Sequence, residues 1–461
     1  MSTLFSENPL FSEVRSDFID HRRFTSAEFA RLEMERLWTS TWHWACREEE
    51  LPRVGDYLVY DIGDQSVVLV HSSEDVIEAF HNVCPHRGRR LLSGTGQVNK
   101  FHCIFHAWQW DLHGNNTRIL DQEQWQGCAN MSREDMAMAR IHVGRWAGFV
   151  FINMSVEPEP FEEFIKPAPQ DLNVLRMDLM RLNWRKIINV KCNWKVAQEA
   201  FMESYHVWGT HPQFLQLNDD VNISYAAGKH GKHRWIYELP PGSPSRRLGK
   251  EPLGLDEVRE NFAKLQLAFA DQLGLGNGDG QFTARSLRAA HEAISVLPKG
   301  TSMMEAMTVA GIAMKEAADR DGAYFPLIPP EHLATMGHDW NIFPNLGVVW
   351  GADGTLIFRA RPDPEDPCNP NVCVLEMISL LHFGNDNGKG KQPPLGEVDD
   401  VVDDWKNQRE RIPKLLLQDL INMEEVQRGM HSVGLKGLRP NPVQEVQISN
   451  FHRVINEYLF A

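Results

Sequence analysis

Two short cysteine–histidine pairs constrain this chain of 461 residues more than any other feature. The first pair is Cys84-x-His86, and after sixteen further residues the second pair follows as Cys103-x2-His106. Two facing loops with this spacing can hold a two-iron cluster, with both thiolates on one iron and both imidazoles on the other. A structural zinc ion is the alternative, but paired zinc ligands are usually two to four residues apart. The tighter C-x-H spacing therefore favours the cluster.

A second group of chemically active residues lies in the stretch NWKVAQEAFMESYHVWGTHP. We predict a helix over residues 193–208, which would put Glu199, Glu203 and His206 on one face. Glu203 would then share the face of a metal ligand one turn away. Glu199 has two interpretations that the sequence leaves open: it hydrogen-bonds a metal ligand from outside, or it is simply solvated.

His206 and His211 are the predicted imidazole ligands of a mononuclear iron. On a continuous helix they would point apart, but Gly209 and Pro212 provide a break that can turn His211 back. Two imidazoles and one carboxylate leave open positions on Fe(II), where O2 and a substrate can approach together. A chance H-x4-H pair is the ordinary alternative.

Asp419 is the predicted carboxylate ligand of the same iron. It lies in a helix predicted over residues 399–430, in an apolar stripe with Leu415, Met423 and Val426. A carboxylate in an apolar environment is costly unless it is paired or coordinates a metal. A solvated helix aspartate is the alternative that this pattern leaves open.

Taken together, these motifs resemble those of the Rieske non-heme iron oxygenases, in particular the α (catalytic) subunits of ring-hydroxylating oxygenases. The shared sequence features are C-P-H-R-G and C-x-x-H-x-W around the two pairs, N-W-K ahead of Tyr-His, and V-Q-R-G after D-x4-E. Trp108, in the second of these motifs, is predicted to shield the second loop from water. In this family an acidic residue connects the cluster to the mononuclear iron site, and at that position this chain has Glu203 where many members carry Asp.

The resemblance implies two cofactors and a role for each candidate residue. A Rieske [2Fe-2S] cluster would be held by Cys84, His86, Cys103 and His106. A mononuclear Fe(II) would be held by His206, His211 and Asp419. Glu203 would have a catalytic role, because it would connect the cluster of a neighbouring subunit to the iron ligand His206.

The predicted fold class is α+β. Short β-like runs between about residues 42 and 155 indicate an all-β Rieske [2Fe-2S] domain, and residues 1–41 are predicted to be a helical segment that packs on the catalytic domain. Residues 156–461 would form the catalytic mononuclear iron domain. The resemblance implies that this domain is a helix-grip (START-like) fold, with an antiparallel sheet and a long C-terminal helix.

The resemblance also implies a terminal oxygenase that works with other proteins. Electrons would come from NAD(P)H through a ferredoxin, a flavin reductase or both, and the chain would form a homotrimer, with or without a small β subunit. The predicted reaction uses O2 to cis-dihydroxylate a hydrophobic aromatic or polycyclic substrate. The alternative is monooxygenation or demethylation of a non-aromatic substrate.

Charge and hydropathy exclude other classes of function. A formal charge of −15 argues against nucleic acid or an anionic membrane as a partner, because both require a basic surface. No run of about 18 apolar residues is present, so no membrane span is expected. The N-terminal sequence has no basic and apolar export signal, so the expected location is the cytoplasm.

Overall fold

The structure is a computed structural model, which describes residues 13–129, 131–236, 238–276, 278–384 and 395–460. It contains two compact units. The small unit comprises Arg31–Phe164 and Asp363–Cys368, and the large unit comprises the described parts of Met1–Ala30, Ile165–Pro362 and Asn369–Ala461. Residues 1–12 of the predicted N-terminal segment lie outside the described residues. The domain boundaries at residues 42 and 156 remain predictions.

The small unit is built on an antiparallel sheet of seven strands. Its central strands are rich in β-branched residues, which suit a pleated and buried surface. In spatial order the strands are His43–Arg47, Phe149–Asn153, Arg140–Trp146, Val76–His81, Gln65–Ser73, Asp56–Ile62 and Thr95–Gln97. A second, three-stranded sheet contains Phe101–His102, Gln109–Trp110 and Asn116–Arg118.

The core of the small unit includes two of the candidate ligands. Cys84 and Cys103 pack in one apolar cluster with Val68, Phe101 and Trp110. The thiols therefore lie against the sheets, where water is excluded.

The large unit contains a sheet of eight strands. Neighbouring strands are antiparallel except for Asp399–Val401, which runs parallel to Arg181–Val190. The predicted α+β class, with an antiparallel sheet in the larger part of the chain, is confirmed. In spatial order the strands are Asn222–Ala227, His230–Trp235, Asp339–Ile342, Leu346–Trp350, Gly354–Pro362, Cys373–Leu381, Arg181–Val190 and Asp399–Val401.

Helices make up much of the remaining structure, and none of those in the described residues combines the length and apolar character needed to cross a bilayer. The α-helices are Arg22–Thr25, Ala27–Leu32, Arg133–Met136, Phe161–Phe164, Ala168–Leu172, Trp194–Glu199, Val207–Thr210, Leu255–Leu273, Ala284–Ser295, Met303–Arg320, Pro330–Leu333, Lys414–Met430 and Val446–Leu459. Residues Glu33–Trp38 form a π-helix. Single 3-10 turns are Glu48–Glu50, Gln122–Trp125, Asn173–Leu175, Pro212–Phe214, Arg246–Leu248, Leu395–Glu397 and Arg409–Arg411. Val14–Arg15 and Phe18–Ile19 pair as a two-stranded sheet.

The long helix near the C-terminus begins later than its sequence pattern predicts. A start near Asp399 is wrong, because the helix spans Lys414–Met430 and follows Pro413. Asp399 belongs instead to an edge strand, where its carboxylate accepts hydrogen bonds from Arg185 at 2.6 and 2.9 Å. Pro413 has no N–H to donate, so a helix cannot easily continue through it.

Candidate metal centres

Two loops of the small unit share the same backbone turn. The carbonyl of Cys84 accepts the N–H of Gly88, and the carbonyl of Cys103 accepts the N–H of Ala107, both at 2.9 Å. Each cysteine N–H donates in turn to the carbonyl five residues later, at 2.8 and 2.9 Å. Gly88 and Ala107 have φ angles of 73° and 62°, so both loops end in a left-handed residue. Each loop therefore closes on its own cysteine, with a histidine inside the turn.

The side chains of these loops are arranged as two thiols and two imidazoles. Cys84 and Cys103 are 2% and 1% exposed, and burial raises the pKa of the Cys84 thiol, as does the thiol beside it. The rings of His86 and His106 have centroids 4.5 Å apart. Their Nδ1 atoms are both buried and have no hydrogen-bond partner among the described residues. Since a buried polar atom without a partner is costly, these four residues fit a [2Fe-2S] cluster that would bind both nitrogens.

Aromatic rings surround the imidazoles. Trp108 is almost fully buried and stacks on His86, with centroids 5.0 Å apart and an interplanar angle of 4°. Trp125 meets the same imidazole edge-on at 5.7 Å. Trp108 thus packs on the histidine of the first loop, whereas the sequence predicted that it would shield the second. Phe105 is 54% exposed, so the second loop is open to solvent beside His106.

In the large unit, the segment that carries Glu203 and His206 is not one helix. A helix over Trp194–Glu199 is followed by turns, and a short helix over Val207–Thr210 comes next. Glu203 Oε2 accepts the backbone N–H of His206 at 3.0 Å, and such a bond between a side chain and the backbone competes with helix continuation. The predicted continuous helix over residues 193–208, with Glu199 on the same face, is therefore wrong.

His206, His211 and Asp419 nevertheless come together. Their potential ligand atoms all lie within 4.8 Å of one another. Asp419 Oδ1 is 3.6 Å from Nε2 of His206 and 3.1 Å from Nε2 of His211. This set of two imidazole nitrogens and one carboxylate is suited to Fe(II) with open coordination positions.

In both histidines Nε2 faces Asp419, and Nδ1, the other ring nitrogen, contacts a side-chain oxygen that differs between the two residues. His206 Nδ1 lies 2.7 Å from Glu203 Oε1, whereas His211 Nδ1 lies 2.8 Å from Gln418 Oε1. An N–H on each Nδ1 leaves the lone pair of each Nε2 free for a metal. Burial opposes protonation of His206, but the Glu203 carboxylate outweighs it and raises the pKa of His206 to about 9.

Sequence reasoning missed Gln418. Its partner His211 lies 207 positions away along the chain, so no local pattern connects the two residues. Gln213 also donates to Gln418 Oε1, at 2.8 Å, which helps to hold the amide in place.

Asp419 is buried, as its sequence context predicted. Its side chain is 6% exposed, and Met423 one turn further along is also buried. The apolar stripe is shorter than predicted, because Val426 is 44% exposed. The buried part of the predicted stripe therefore ends near Met423, and Asp419 lies within it.

Glu199 holds the C-terminal helix. Its Oε1 accepts the Nε2–H of His452 at 2.8 Å, and the side chain is 12% exposed, so the solvated interpretation is wrong. Burial lowers the pKa of His452 well below its ordinary value, and Arg23 and Lys195 lower it further. His452 is therefore neutral, and its Nδ1 accepts from Arg23 Nε at 3.0 Å.

A cavity of about 400 Å³ opens beside the three candidate iron ligands, which form part of its wall. This size is ordinary for a site that binds a small organic molecule. Burial lowers the pKa of His338 to about 4, and its neutral ring stacks on Trp350 in the wall. The apolar residues of the wall are Ala200, Phe201, Val207, Phe214, Trp235, Pro241, Phe262, Leu265, Phe269, Leu273, Phe282, Leu333, Val349, Trp350, Leu356, Phe358, Leu415 and Leu416.

Both parts of the chain match described protein families. Residues 41–128 match the family described as "Rieske [2Fe-2S] domain". Residues 177–264 and 281–461, more than half of the chain, match "Ring hydroxylating alpha subunit (catalytic domain)". The matches favour an iron–sulfur cluster over zinc at the loops of the small unit.

Individual relatives include both monooxygenases and dioxygenases. The oxygenase subunit of carnitine monooxygenase from Escherichia coli K12 is 29% identical over 248 residues, which is 53% of this chain and 64% of that protein. The aligned stretch is thus less than two thirds of the relative's length. A quaternary ammonium Rieske monooxygenase solved with L-carnitine has a TM-score of 0.61 at 18% identity, covering 96% of this chain and 97% of that one. Naphthalene 1,2-dioxygenase solved with indole has a TM-score of 0.65 at 14% identity, covering 98% and 94%.

Proposed function

Because this chain belongs to the family of ring-hydroxylating alpha subunits and carries a Rieske [2Fe-2S] domain, we propose that it oxidises a hydrophobic aromatic or polycyclic substrate by cis-dihydroxylation. It is a Rieske oxygenase terminal component, and its oxidoreductase class follows from the family. The reaction and the substrate class rest on one observation. That observation is the largely apolar cavity, with several aromatic side chains in its wall, beside His206, His211 and Asp419.

The residues that would hold the two cofactors are the sets that the structure brings together. Two thiols and two imidazoles lacking Nδ1 partners support cluster ligation in the small unit, and the triad in the large unit supports a mononuclear iron site. When bound, these groups supply electron transfer and the activation of O2. The proposed cluster ligands are Cys84, His86, Cys103 and His106, and the proposed iron ligands are His206, His211 and Asp419.

Glu203 would connect two subunits of a homotrimer, with or without a small β subunit. Both of its oxygens already contact His206, at 2.7 and 3.0 Å. Each carboxylate oxygen has a second lone pair, so Glu203 can also accept from a histidine of a neighbouring subunit's cluster. Electrons would reach that cluster from a separate reductase, directly or through a ferredoxin.

The charges of the cavity wall support a substrate without a carboxylate. Apart from histidine, every charged side chain among the described lining residues is itself a carboxylate: Glu203, Asp220, Asp339 and Asp419. Like charges in a cavity of low dielectric repel one another strongly. A zwitterion such as carnitine, which carries a carboxylate, matches this wall less well than a neutral ring system does.

Monooxygenation or demethylation of a non-aromatic cation is the second candidate. It is favoured by the 29% identity with a carnitine monooxygenase subunit. Aromatic faces attract quaternary ammonium groups, and this wall has several such faces.

The two candidates differ in the fate of the oxygen atoms. We expect holoprotein supplied with a reductase and 18O2 to convert an aromatic ring compound to a cis-diol that contains two labelled atoms. A single labelled atom, or formaldehyde released from a methylammonium substrate, would support the second candidate. Failure to oxidise any neutral aromatic compound in a broad panel would contradict the first.

A further inference from the structure

One polar cluster of the cavity wall lies outside the triad of candidate iron ligands. His233 is fully buried, and its Nε2 lies 2.6 Å from Ser204 Oγ and 2.8 Å from Asp339 Oδ2. Ser204 and Asp339 both line the cavity. His233 and Asp339 are cross-strand neighbours in the sheet, so the register of two adjacent strands brings them together.

The hydrogen bond at Nδ1 of His233 determines which tautomer the imidazole adopts. Gln447 Nε2 donates to His233 Nδ1 at 3.3 Å, and the same amide nitrogen contacts the carbonyl of Met202. Because Nδ1 accepts, Nε2 carries the proton and donates it to Ser204 Oγ, and Asp339 Oδ2 lies 2.8 Å from the same nitrogen. One oxygen of Asp339 is thus turned to the imidazole of His233.

Asp339 differs from the other carboxylates of the wall. Glu203 contacts His206, Asp419 belongs to the triad, and Asp220 is paired with Arg247 at 2.5 Å. Among the described residues, the one side-chain nitrogen or oxygen in close contact with the Asp339 carboxylate is Nε2 of His233, and nothing hydrogen-bonds to Oδ1 of Asp339. The side chain is 16% exposed, and the space it faces is the cavity.

We propose that Asp339, which lies beside His233 and Ser204, is a subsite that accepts a hydrogen bond from the substrate. The ligand chemistry is a hydroxyl or protonated amine on an otherwise apolar ring skeleton. A few convergent polar groups in an apolar pocket fix the orientation of a ligand, and an unmatched carboxylate rejects analogues that lack the donor. The inference rests on the proposed function and adds a specificity-determining residue to it.

Binding measurements on anaerobic holoprotein test this without turnover. The probes are naphthalene, 2-naphthol, 2-methoxynaphthalene and 2-naphthylmethylamine, with affinities from equilibrium dialysis. We expect one or both of the donor-bearing probes to bind at least about tenfold more tightly than 2-methoxynaphthalene, because hydrogen bonds to charged acceptors are the stronger class. The two donor probes identify whether the group is a hydroxyl or an ammonium.

The matched variants are Asp339→Asn and Asp220→Asn. The measured quantity is the affinity for the donor-bearing probe divided by the affinity for 2-methoxynaphthalene. Asp339→Asn should lower this ratio about tenfold and change the affinity for naphthalene by less than about twofold. Asp220→Asn removes a carboxylate from the same wall, but one already paired with Arg247, so the ratio should not change. Cluster absorbance and iron content serve as folding checks for both variants. Ser204→Ala, a second and milder change, should lower the ratio less than Asp339→Asn does.

Three outcomes would overturn the subsite. They are equal binding of 2-naphthol, 2-methoxynaphthalene and the amine by the unaltered protein, an unchanged ratio in Asp339→Asn, or a trimethylammonium analogue of the amine that binds as tightly as the amine itself. In the first two cases naphthalene binding would still support the proposed aromatic substrate class. If none of the naphthalenes bound, the proposed function would fall together with the subsite.

Discussion

The cluster loops of the small unit and the iron site of the large unit differ in how their ligands are brought together. The four cluster candidates lie within residues 84–106, and backbone hydrogen bonds close each loop on its own cysteine. The iron candidates come from one segment near residue 206 and from a helix more than 200 positions later, and the imidazoles are oriented by hydrogen bonds that they donate to Glu203 and Gln418. A site made of local turns can be recognised in the sequence, whereas the supports of a distributed site appear only in the fold.

Removing one ligand from each site should have the largest effects. We expect Asp419→Ala to lose the mononuclear iron and to reduce turnover at least about a thousandfold, since the carboxylate is the only acid of the triad. The cluster spectrum should remain, because Cys84 and Cys103 lie in the small unit. Cys84→Ser should do the reverse, bleaching the cluster while iron still binds to the triad. Iron and acid-labile sulfide analysis with visible spectra would measure both.

Zinc without sulfide in anaerobically prepared protein would contradict the cluster assignment. An Asp419→Ala variant that binds iron and turns over normally would make the carboxylate assignment wrong. Loss of both cofactors in either variant would indicate that the two sites depend on each other for folding.

Glu203→Gln should have the next largest effect, on electron transfer rather than on occupancy. The amide oxygen can still accept from His206 Nδ1, which lies 2.7 Å from the carboxylate, so the iron site should fill. Loss of the charge and of acceptor capacity should slow reoxidation of the reduced cluster by O2 and substrate by orders of magnitude. Single-turnover kinetics measure this rate. Glu199→Gln is the matched control: Glu199 holds His452, and the rate should be unchanged.

A normal reoxidation rate in Glu203→Gln would remove this residue from the electron path. Slow reoxidation in both variants would instead indicate a general disturbance of the segment.

Gln418→Met should have an intermediate effect, confined to the iron site. It removes the acceptor 2.8 Å from His211 Nδ1, and loss of such a partner typically lowers metal affinity about 10- to 100-fold. Competition with a chelator would measure the affinity, and the cluster spectrum should not change. Gln213→Met serves as the control, because Gln213 bonds the amide of Gln418, at 2.8 and 3.4 Å, and has no hydrogen bond to the imidazole of His211 among the described residues. Equal affinity in Gln418→Met and the unaltered protein would show that packing alone orients His211.

The features that could be predicted from the sequence are those that depend on local spacing, as in the cluster loops, whereas the distributed supports of the iron site could not be predicted. The cysteine–histidine loops and the burial of Asp419 were predictable, because each depends on short spacing or on one helix face. The extent of the helix after Asn193 was not, because Glu203 bonds the N–H of His206 in place of a helical carbonyl. Gln418 and the Asp339 subsite were missed, because distant strands or helices bring their partners together.

The smallest predicted effects test whether the backbone itself shapes the cluster loops. Gly88 and Ala107 occupy equivalent positions, with φ angles of 73° and 62°. A side chain in the left-handed region costs about 1–2 kcal/mol, and glycine costs about 0.5–1 kcal/mol of chain entropy. Gly88→Ala should therefore destabilise the small unit by about 0.5–1 kcal/mol. No steric cost is added, because a Cβ at residue 88 meets nothing within 4 Å. Ala107→Gly should stabilise the small unit by a similar amount.

The midpoint for thermal loss of the cluster absorbance measures both changes. Gly94→Ala is the control, since Gly94 also has a positive φ of 60° and open space around it, but it lies outside the two loops. If the backbone sets the shape of the loops, Gly88→Ala and Ala107→Gly will shift the midpoint in opposite directions, and Gly94→Ala will lower it as Gly88→Ala does. Midpoints of the two loop variants that equal that of the unaltered protein, while Gly94→Ala still lowers it, would contradict a left-handed backbone at Gly88 and Ala107 in the folded loops.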